Sequence, residues 1–333
     1  MLHVHLARNL AADAVAVLRQ ALPPSVRITA APEEPQPVDC HVLVTGVVSH
    51  EEIRHSPDLR AVIVPFAGPP AATMAVLRDY PGISLHNLHF NDSATAEFTL
   101  ALLLATAKWL IPADRLLRHG DWTYRGAEAP AALLWGKRVT ILGYGAIGRR
   151  LAPVCRALGM QVVGVKRTVT ETRDGAAEGM ADALGATLYT IGQLHEVLPQ
   201  TDVLLCVLPE TPETVGLVGE RELALLPRHA IVVNTGRGPV IDEAALFQAL
   251  SDQTIRAAGL DVWYQYPAAA EARTATFPSR FPFHELENVV LSPHRGGWID
   301  PAEHMREEAL AVLLRQAAAG LPMANLVNKT LGY

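Results

Sequence analysis

Cysteine is scarce in this chain of 333 residues, which contains only Cys40, Cys155 and Cys206 and no CxxC pair. An odd and sparse set of thiols in apolar stretches is typical of a reducing compartment, and it argues against a disulfide framework or a zinc centre. The first residues, Met1 to His5, lack the basic and then apolar pattern that begins a secretory leader. We therefore expect a cytoplasmic protein that holds no metal.

Runs of positive charge and long apolar runs are also missing. The 28 lysines and arginines are outnumbered by 34 acidic residues, which gives a net charge of −6, and they form no basic patch. Nucleic acid is therefore not an expected partner. The longest apolar run, 98–107, stops at Lys108 and is too short to cross a bilayer, so no membrane partner is expected either. With 50% hydrophobic residues, the chain has enough apolar surface for the cores of about two domains.

One segment combines a buried strand with a glycine-rich turn. After the apolar stretch 139–142, the chain spells G-x-G-x-x-G with Gly143, Tyr144, Gly145, Ala146, Ile147 and Gly148. A helical pattern over 149–158 and a second apolar strand over 161–165 follow. In this context the first glycine permits a tight turn, the second lets the backbone approach a pyrophosphate, and the third lets helix and strand pack closely. The segment therefore predicts a dinucleotide site at a helix N-terminus, rather than a plain βαβ turn.

Strand and helix patterns alternate on both sides of this segment. Strands are predicted at 42–44, 61–64, 203–208, 230–234, 255–261 and 289–291, and helices at 93–109, capped by Ser93, and at 302–319. This alternation indicates an α/β fold with parallel sheets covered on both faces. Because the nucleotide segment is central, we expect the chain ends to share the other domain. The predicted bounds are 1–108 and 300–333 for a substrate domain, and 109–299 for a dinucleotide-binding domain.

Six sequence blocks, found in a fixed order, resemble the D-isomer-specific 2-hydroxyacid dehydrogenase family over nearly the whole chain. They are Asn91-(x4)-Ala96-Glu97, Gly136-Lys137-Arg138-Val139 with the fingerprint, Leu208-Pro209-Glu210-Thr211-Pro212-Glu213-Thr214, Asn234-Thr235-Gly236-Arg237-Gly238 with Asp242-Glu243-Ala244-Ala245-Leu246, Gly259-Leu260-Asp261-Val262, and Ser292-Pro293-His294. The resemblance implies two doubly wound parallel-sheet domains. The central one would be a Rossmann dinucleotide-binding domain, and the other would be discontinuous and flavodoxin-like.

The chemistry of the family assigns roles to three residues. Reduction of a 2-keto acid needs a hydride donor, a cation for the carboxylate and an acid for the developing alkoxide. Arg237 follows a predicted strand end, its planar fork suits a carboxylate, and glycines on each side would let ligands approach; a surface arginine is the alternative. The resemblance makes His294 the catalytic proton donor and acceptor. It places Asp261 at the nicotinamide, with a helix cap as the alternative.

The resemblance extends the site to two further sets of residues. Besides the fingerprint and Asp261, the cofactor would contact Leu208, Pro209, Thr235, Gly236, Gly296 and Gly297. The substrate would contact Phe66, Ala67, Gly68 and Asn91, which match the part of the family's smaller domain that lines the substrate cleft. Backbone N–H groups of such a loop can hold a carboxylate, although Pro-Phe-Ala-Gly is also an ordinary turn.

The chain departs from the family pattern at Tyr266. The family carries Glu five residues after the Asp, in a D-V-F-x-x-E-P block, and here Tyr266 takes that position. A carboxylate beside the catalytic imidazole raises its pKa, whereas a phenol is uncharged at neutral pH. We therefore expect His294 to titrate lower than in relatives with Glu, with Tyr266 orienting the ring. Glu271 or Glu285 folding back to His294 is the alternative.

The second departure concerns the cofactor. Where an Asp usually ends the second strand and binds the ribose 2′-OH, this chain has Lys166, Arg167 and Thr168. Two cations and a hydroxyl would attract a 2′-phosphate, so NADP(H) is expected in preference to NAD(H). If these cations are only solvated edge charges, NAD is used instead.

The sequence thus predicts an oxidoreductase that transfers a hydride between NAD(P)H and a small 2-keto acid, such as glyoxylate or hydroxypyruvate, to give a D-2-hydroxy acid. The alternatives are a nucleotide-sensing, corepressor-like interaction protein and a formate-dehydrogenase-like oxidoreductase, since that branch also has a neutral residue at position 266. The resemblance also implies a homodimer. Apolar residues available for its interface are Trp109, Leu116, Leu117, Trp122, Leu133, Leu134 and Trp135.

Overall fold

The structure, a computed structural model, describes residues 1–7, 12–31, 33, 37–126, 130–169, 179, 181–300 and 302–332, with only the backbone for 12, 13 and 302. These residues form two compact units. Unit 1 combines Met1–Asn91 with Trp298–Tyr333, and unit 2 is Asp92–Gly297. The chain thus begins in unit 1, builds unit 2 and returns, which is the discontinuous arrangement that the sequence predicts.

Unit 1 contains one parallel sheet. Its strands are β1 (Leu2–Leu6), β2 (Val26–Ala30), β3 (Val42–Val44), β4 (Ala61–Val64) and β5 (Ser84–Asn87). They lie in the order β2-β1-β3-β4-β5, and every neighbouring pair is parallel. This is the flavodoxin-like order, so the fold predicted for this unit is confirmed.

Unit 2 contains the second parallel sheet. Its strands are β6 (Arg138–Leu142), β7 (Gln161–Lys166), β8 (Thr187–Thr190), β9 (Val203–Cys206), β10 (Ile231–Asn234), β11 (Ala257–Leu260) and β12 (Val289–Leu291). They lie in the order β12-β11-β10-β9-β6-β7-β8, and every neighbouring pair is parallel. Counted from β6, this is the Rossmann order with one further strand, and β6 and β9 flank its switch point.

Helices cover both sheets. Among the described residues they are α1 (Ala12–Ala21), α2 (His50–His55), α3 (Ala71–Arg78), α4 (Asp92–Ala107), α5 (Leu110–Leu117), α6 (Ala146–Ala157), α7 (Leu194–Val197), α8 (Glu220–Leu225), α9 (Glu243–Ser251) and α10 (Ala302–Ala318). Single turns of 3-10 helix lie at Thr123–Arg125, Ile191–Gln193, Leu198–Gln200, Gly238–Val240, Ala270–Thr274 and Phe283–Glu285.

Helices bury both faces of each sheet. Successive strand residues point to opposite sides, so each strand contributes side chains to two cores. In unit 1, Val42 and Val44 pack with residues of α1 and α10 such as Leu18 and Leu314. Leu43, between them, lies on the other face with residues of α2 and α3. In unit 2, α4 and α6 cover one face, and α7, α8 and α9 cover the other. Burial on both sides explains why the strands read as continuous apolar runs.

Helix α4 is grouped with unit 2, whereas the sequence-based boundary gave residues up to Lys108 to the substrate domain. The helix packs on α6, β10 and β11, and its Leu102 and Leu103 join the core of unit 2. The units therefore divide after Asn91 and after Gly297. An apolar helix that follows the first domain can belong to either side of a boundary, and its packing decides the matter.

Both ends of α4 differ from the sequence-based expectation. The helix begins at Asp92, whose carboxylate accepts the N–H of Ser93 at 2.8 Å, so Ser93 lies inside the first turn and does not cap it. The helix ends at Ala107, and Trp109 has a φ of +56° that separates α4 from α5. Among the described residues no single helix is long and apolar enough to cross a membrane; α4 and α5 reach that length and composition only as a pair bent by 65°.

Gly164 lies within β7, directly against the ring of Tyr144. A methyl group on Gly164 would lie 2.6 Å from Tyr144 Cγ and 2.9 Å from Leu188 Cδ2. Tyr144 is buried, and its hydroxyl donates to Asp182 at 2.9 Å, so its ring cannot shift without disturbing that bond. We expect Gly164→Ala to lower the free energy of unfolding by about 1–3 kcal/mol through overpacking. Urea unfolding followed by circular dichroism measures this change.

Gly192→Ala provides the matched control within unit 2. Its added methyl group would meet only Thr190 Oγ1, at 3.8 Å, which is ordinary contact. This variant should change the unfolding free energy by less than about 0.5 kcal/mol. Equal losses in the two variants would contradict the view that Tyr144 requires a glycine opposite it.

Candidate active site

The loops after the strands of unit 2 bring the predicted site residues to one edge of the sheet. Gly143 follows β6, Thr235 follows β10 and Asp261 follows β11. Lys166 ends β7, and His294 lies in the loop after β12. Because the strands are parallel, their carboxyl ends share one edge, and an open α/β sheet binds its ligands there.

The glycine fingerprint has the backbone geometry that a dinucleotide requires. Gly143 has a φ of +107°, and a Cβ on it would lie 3.0 Å from the carbonyl carbon of Val207. Gly148 lies in the first turn of α6, where a Cβ would be 2.6 Å from the Gly143 oxygen. At Gly145, the N-cap of α6, nothing lies within 4 Å of the corresponding position. The backbone at the start of α6 is therefore open, and its N–H groups suit a pyrophosphate.

The remaining fingerprint residues differ in what they offer. Ala146 is exposed and Ile147 is half-buried, both in the first turn of α6. Tyr144 is only 2% exposed, and its hydroxyl donates to Asp182. Its side chain therefore supports β7 within the core, and Tyr144 can meet a cofactor only through its backbone.

The end of β7 carries positive charge. Lys166 is half-buried, and Arg167 and Thr168 are exposed. The segment 161–169 contains no acidic side chain that could accept the ribose 2′-OH as an Asp does. Guanidinium and ammonium groups beside a hydroxyl suit a phosphate at this place instead.

The two glycines around Arg237 are required by neighbouring backbone. A Cβ on Gly236 would lie 2.5 Å from the Leu208 oxygen, and one on Gly238 would lie 2.3 Å from the Trp263 oxygen. These glycines let the Arg237 loop approach the loops after β9 and β11, and the approach of a ligand to them stays a prediction. The close contact explains why small residues flank the arginine.

Asn234, the last residue of β10, closes the Arg237 turn. Its Oδ1 accepts the N–H of Gly236 at 3.1 Å, and its Nδ2 donates to the Arg237 carbonyl at 3.0 Å. Arg237 is half-buried, and its Nη1 donates to the Gly236 carbonyl at 2.7 Å. The turn therefore fixes the direction in which the guanidinium leaves the sheet edge.

Tyr266 and His294 meet through their side chains. The Tyr266 hydroxyl lies 2.9 Å from His294 Nδ1, with the ring centres 5.5 Å apart. The same oxygen accepts the backbone N–H of Trp263 at 3.1 Å. The Trp263 indole N–H in turn donates to the Ser292 carbonyl at 2.7 Å. The structure therefore brings Tyr266 to the imidazole, and Trp263 links the two loops that carry them.

No carboxylate of the described residues lies within 4 Å of a ring nitrogen of His294. Glu285 lies 3.8 Å from His284 instead, and Glu271 makes no contact with the imidazole. The alternative in which Glu271 or Glu285 folds back to His294 is therefore not what the structure shows.

The electrostatic surroundings favour neutral rings at this pair. Burial lowers the pKa of His294 below 6.5, the positive charge of Arg237 lowers it further, and Asp261 opposes the shift. Burial also raises the pKa of Tyr266, so its phenol stays protonated at neutral pH. Arg237 acts on both rings, which places its charge beside the pair.

Asp261 is 2% exposed, and both its oxygens are used within the protein. Oδ1 accepts from Ser292 Oγ at 2.5 Å and from the Arg295 N–H at 2.9 Å, and Oδ2 accepts from the Gly296 N–H at 2.9 Å. These bonds hold the loop in which His294 has a φ of +55°, a backbone conformation that costs energy for a residue other than glycine. Asp261 therefore braces the His294 loop and caps no helix; its contact with a nicotinamide stays a prediction.

The other residues expected at the cofactor lie along the same edge. Leu208 is buried and Pro209 is exposed after β9, while Gly296 is buried and Gly297 is half-buried after β12. Thr235 is buried, and its hydroxyl lies 2.7 Å from that of Thr99 on α4. The Thr235 side chain is thus engaged inside unit 2.

The residues expected at the substrate belong to unit 1. Phe66, Ala67 and Gly68 follow β4, and they and Asn91 are half-buried. Asn87, at the end of β5, donates from Nδ2 to the Ala67 carbonyl at 2.6 Å. The backbone of Asn87 is paired on both sides with Asn325 of the C-terminal segment. Asn87 thus fixes the loop that the sequence singles out.

Four residues that support the site had no role in the sequence analysis: Asn87, Asn234, Trp263 and Ser292. Asn234 and Ser292 lie in blocks that carry the family resemblance, and Trp263 directly follows one, so their positions gave a signal. Their tasks did not. Trp263 and Ser292 bond residues on another loop, and Asn234 closes a turn whose shape the sequence does not show. Asn87 lies outside every block and carried no signal.

Comparisons with known proteins agree with this geometry. The family profile described as "D-isomer specific 2-hydroxyacid dehydrogenase, NAD binding domain" matches residues 100–296. The glyoxylate reductase of Aeropyrum pernix is 37% identical over 247 residues, which are 71% of this chain and 66% of that protein. The D-3-phosphoglycerate dehydrogenase of Methanocaldococcus jannaschii is 30% identical over 238 residues, 71% of this chain and 41% of that protein. The chain thus spans less than two thirds of the length of these curated relatives.

A solved structure extends the likeness to the whole chain. The D-isomer specific 2-hydroxyacid dehydrogenase from Xanthobacter autotrophicus Py2, in complex with NADPH and MES, is 28% identical with a TM-score of 0.78, covering 100% of this chain and 99% of that one. The profile covers more than half of the sequence, and both sheets have the topology that the resemblance implies. The chain belongs to the D-isomer-specific 2-hydroxyacid dehydrogenase family.

Proposed function

We propose that this protein is an oxidoreductase that transfers a hydride between NAD(P)H and a small 2-keto acid to give a D-2-hydroxy acid. The observation that carries the proposal is the grouping of Arg237, Tyr266 and His294 at the sheet edge that bears the dinucleotide fingerprint. The likeness to a glyoxylate reductase supports glyoxylate or hydroxypyruvate as the class of substrate.

Each residue of this group has a distinct task in the proposal. Arg237 binds the substrate carboxylate, because its planar guanidinium presents two parallel N–H donors. His294 gives a proton to the alkoxide oxygen as it develops. Tyr266 does not touch the substrate and positions the ring of His294. Its neutral hydroxyl leaves the imidazolium without a carboxylate partner, so the proton-donating form is scarcer at neutral pH than it would be beside Glu.

The sheet edge fits a nicotinamide dinucleotide. The open backbone at Gly145 and the start of α6 suit the pyrophosphate. Lys166, Arg167 and Thr168 hold the 2′-phosphate of NADP(H), the preferred cofactor, with NAD(H) as the alternative. When bound, the nicotinamide supplies or takes up the hydride. The complex of the Xanthobacter relative with NADPH supports this preference.

The substrate contacts of unit 1 and the oligomeric state complete the proposal. The loop of Phe66, Ala67 and Gly68, together with Asn91, binds the acid through backbone N–H groups and polar side-chain atoms. A homodimer uses apolar side chains that are between 50% and 70% exposed, namely Leu117, Trp122, Leu133 and Trp135. Leu134, named for this interface from the sequence, is 5% exposed and packs in the core of unit 2 instead. The cytoplasmic location stays a prediction.

Cofactor binding followed by turnover tests the function. NADPH and NADH are titrated by nucleotide fluorescence, and absorbance decay is then followed with glyoxylate, hydroxypyruvate, pyruvate and phenylpyruvate. We expect NADPH to bind more tightly and at least one keto acid to be reduced. Binding without turnover across these acids would overturn the enzyme proposal and favour a nucleotide-sensing protein.

Alanine at both Lys166 and Arg167 should weaken NADPH binding by about 10- to 100-fold, since a hydrogen bond to a charged group contributes about 1.5–3 kcal/mol. NADH binding should change little. Arg118→Ala is the control, because it removes an exposed arginine that directly follows α5, outside the 161–169 segment. Unchanged NADPH affinity in the double variant would contradict the assignment of the 2′-phosphate to this segment.

The pH dependence of reduction should follow the protonation of His294. The imidazolium is the form that gives up a proton, so kcat/KM falls as the pH rises through the pKa, which burial and Arg237 hold below 6.5. Tyr266→Glu places a carboxylate at Nδ1 and should move this fall to higher pH by about one unit or more. The neutral Tyr266→Gln should not move it upward. An unchanged profile in Tyr266→Glu would show that position 266 does not control the imidazole.

Asp261→Asn distinguishes a brace of the His294 loop from a cofactor contact. The new amide group would point N–H donors at donors of the loop, so a bond to a charged group, about 1.5–3 kcal/mol, is lost. We expect hydrogen exchange at the Arg295 and Gly296 amides to accelerate by about 10- to 100-fold, with cofactor affinity nearly unchanged. Ser292→Ala, which removes one bond of three, should have a smaller effect. Weaker cofactor binding with unchanged exchange would support the nicotinamide contact instead.

A further inference from the structure

The contact between Tyr266 and His294 contains one proton whose position matters for catalysis. The hydroxyl oxygen lies 2.9 Å from Nδ1, so either the phenol donates to Nδ1 or a protonated Nδ1 donates to the phenol oxygen. A neutral imidazole carries one N–H only. The first arrangement leaves that N–H on Nε2, and the second places it on Nδ1.

A third group decides between the two arrangements. The backbone N–H of Trp263 can only donate, and it donates to the Tyr266 oxygen at 3.1 Å. If Nδ1 also donated, the oxygen would accept two N–H groups and its own proton would have to leave the pair for solvent, since Tyr266 is 48% exposed. Among the described residues, His294 Nδ1 is the one acceptor in reach of that hydroxyl. A phenol that accepts from Trp263 and donates to Nδ1 pairs all three groups within the protein, without drawing on solvent, and this favours the first arrangement.

The oxygen is held at this place by a rigid neighbour. Trp263 is 4% exposed, and its indole N–H donates to the Ser292 carbonyl at 2.7 Å. The carbonyl of Trp263 packs against the backbone of Gly238, in the space that a side chain at position 238 would fill. The Trp263 N–H that bonds the Tyr266 hydroxyl therefore belongs to a residue held in place by Ser292 and by Gly238.

We propose that Tyr266 is a positioning residue that fixes neutral His294 as the Nε2–H tautomer, supported by the backbone N–H of Trp263. A carboxylate in place of Tyr266 accepts only, so it would select the opposite tautomer, with a lone pair on Nε2. The charged groups that act on the pair are Arg237, Asp261 and, at the tyrosine, Glu210.

The tautomer determines which ligand the neutral enzyme accepts, an argument that rests on the proposed function. With hydrogen on Nε2, neutral His294 donates to a carbonyl oxygen and so matches a keto acid. It has no lone pair at Nε2 for the hydroxyl of a 2-hydroxy acid. Proton transfer to substrate still requires the imidazolium; its Nε2 proton forms the new O–H bond, and the ring is left neutral. The ring left after this transfer carries its hydrogen on Nδ1, which donates to the phenol oxygen while the phenol proton turns to solvent, since Tyr266 is 48% exposed. Uptake of a solvent proton at Nε2 and loss of the Nδ1 proton then restore the resting Nε2–H tautomer.

Nitrogen NMR of the full chain tests the tautomer without any turnover. Protein labelled with 15N at histidine is recorded above the pKa of His294, and the His294 signals are assigned by their loss in His294→Gln. We expect the pyridine-type signal at Nδ1 and the pyrrole-type signal at Nε2. The pyrrole-type signal at Nδ1 in the parent protein would overturn the proposal.

Two variants separate hydrogen bonding from mere packing. Tyr266→Phe keeps the ring and loses the hydroxyl, so both tautomers should appear. Tyr266→Glu should invert the assignment, placing the hydrogen on Nδ1. An Nε2–H tautomer retained in full in Tyr266→Phe would overturn the proposal, because another group would then be fixing the ring.

Binding of oxamate, a keto-acid mimic, to the protein with NADPH gives a second readout. In the parent protein its affinity should fall little above the pKa of His294, since the neutral ring still offers Nε2–H. In Tyr266→Glu it should fall about tenfold per pH unit above the pKa, because only the imidazolium then donates. A tenfold fall per unit in the parent would overturn the proposal. If no keto acid is turned over yet the NMR assignment holds, the proposed function fails and the tautomer stands.

Discussion

Contact between neighbouring backbone segments, made possible by glycine, is the constraint on which this site depends. A side chain on Gly143 would meet Val207, one on Gly236 would meet Leu208, and one on Gly238 would meet Trp263. The loops after β6, β9, β10 and β11 are therefore joined in series without intervening side chains. The same contacts connect the fingerprint glycines to Arg237 and Trp263 on the other side of the switch point, so these loops share one frame.

Within that frame, replacing a carboxylate by a phenol changes the chemistry more than the shape. A carboxylate at position 266 would compensate the charge of an imidazolium, whereas Tyr266 has no charge, so among the described residues only Asp261 opposes the effect of Arg237 on the pKa of His294. Both burial and Arg237 act in the direction of a neutral ring. Arg237, the residue proposed to bind the substrate, thus opposes protonation of His294, the proposed acid, and the neutral phenol does nothing to offset this effect. The consequence is a histidine that becomes protonated at lower pH than it would beside a carboxylate.

The sequence was sufficient for the fold because both sheets are parallel and buried on two faces. Strands such as β3, β4 and β12 have the predicted bounds, and the sheet orders follow from the family resemblance. The boundary of unit 2 was misplaced because α4 is apolar on most of its surface, and periodicity cannot tell which core an apolar helix joins. Leu134 was assigned to a surface for a similar reason, since the run Leu133-Leu134-Trp135 does not reveal which member turns inward.

The sequence identifies candidate site residues whose type is tied to a position next to a strand end. It does not reveal residues that act through hydrogen bonds between distant loops. The fingerprint glycines, Arg237 and His294 could be named because their blocks fix them next to strand ends. Asp261 was named too, but its bonds to Ser292, Arg295 and Gly296 join segments about 30 residues apart, which no local pattern encodes. Asn87 is the extreme case, since its partner Asn325 comes from the other end of the chain.

Trp263 shows how such long-range bonds make the site cooperative. Its backbone N–H holds the Tyr266 hydroxyl, its indole N–H holds the Ser292 carbonyl, and its own carbonyl presses against Gly238 next to Arg237. One buried residue therefore positions the tyrosine, the histidine loop and the arginine loop. The Trp263 ring is in edge contact with Phe283 in the core. His294 also has a left-handed backbone conformation, which the bonds from Asp261 stabilise. Its ring therefore keeps a single direction as long as the Asp261 bonds and the Tyr266 contact are both intact. The direction of the imidazole is thus a property of the loops after β10, β11 and β12 together, and of no single hydrogen bond among them.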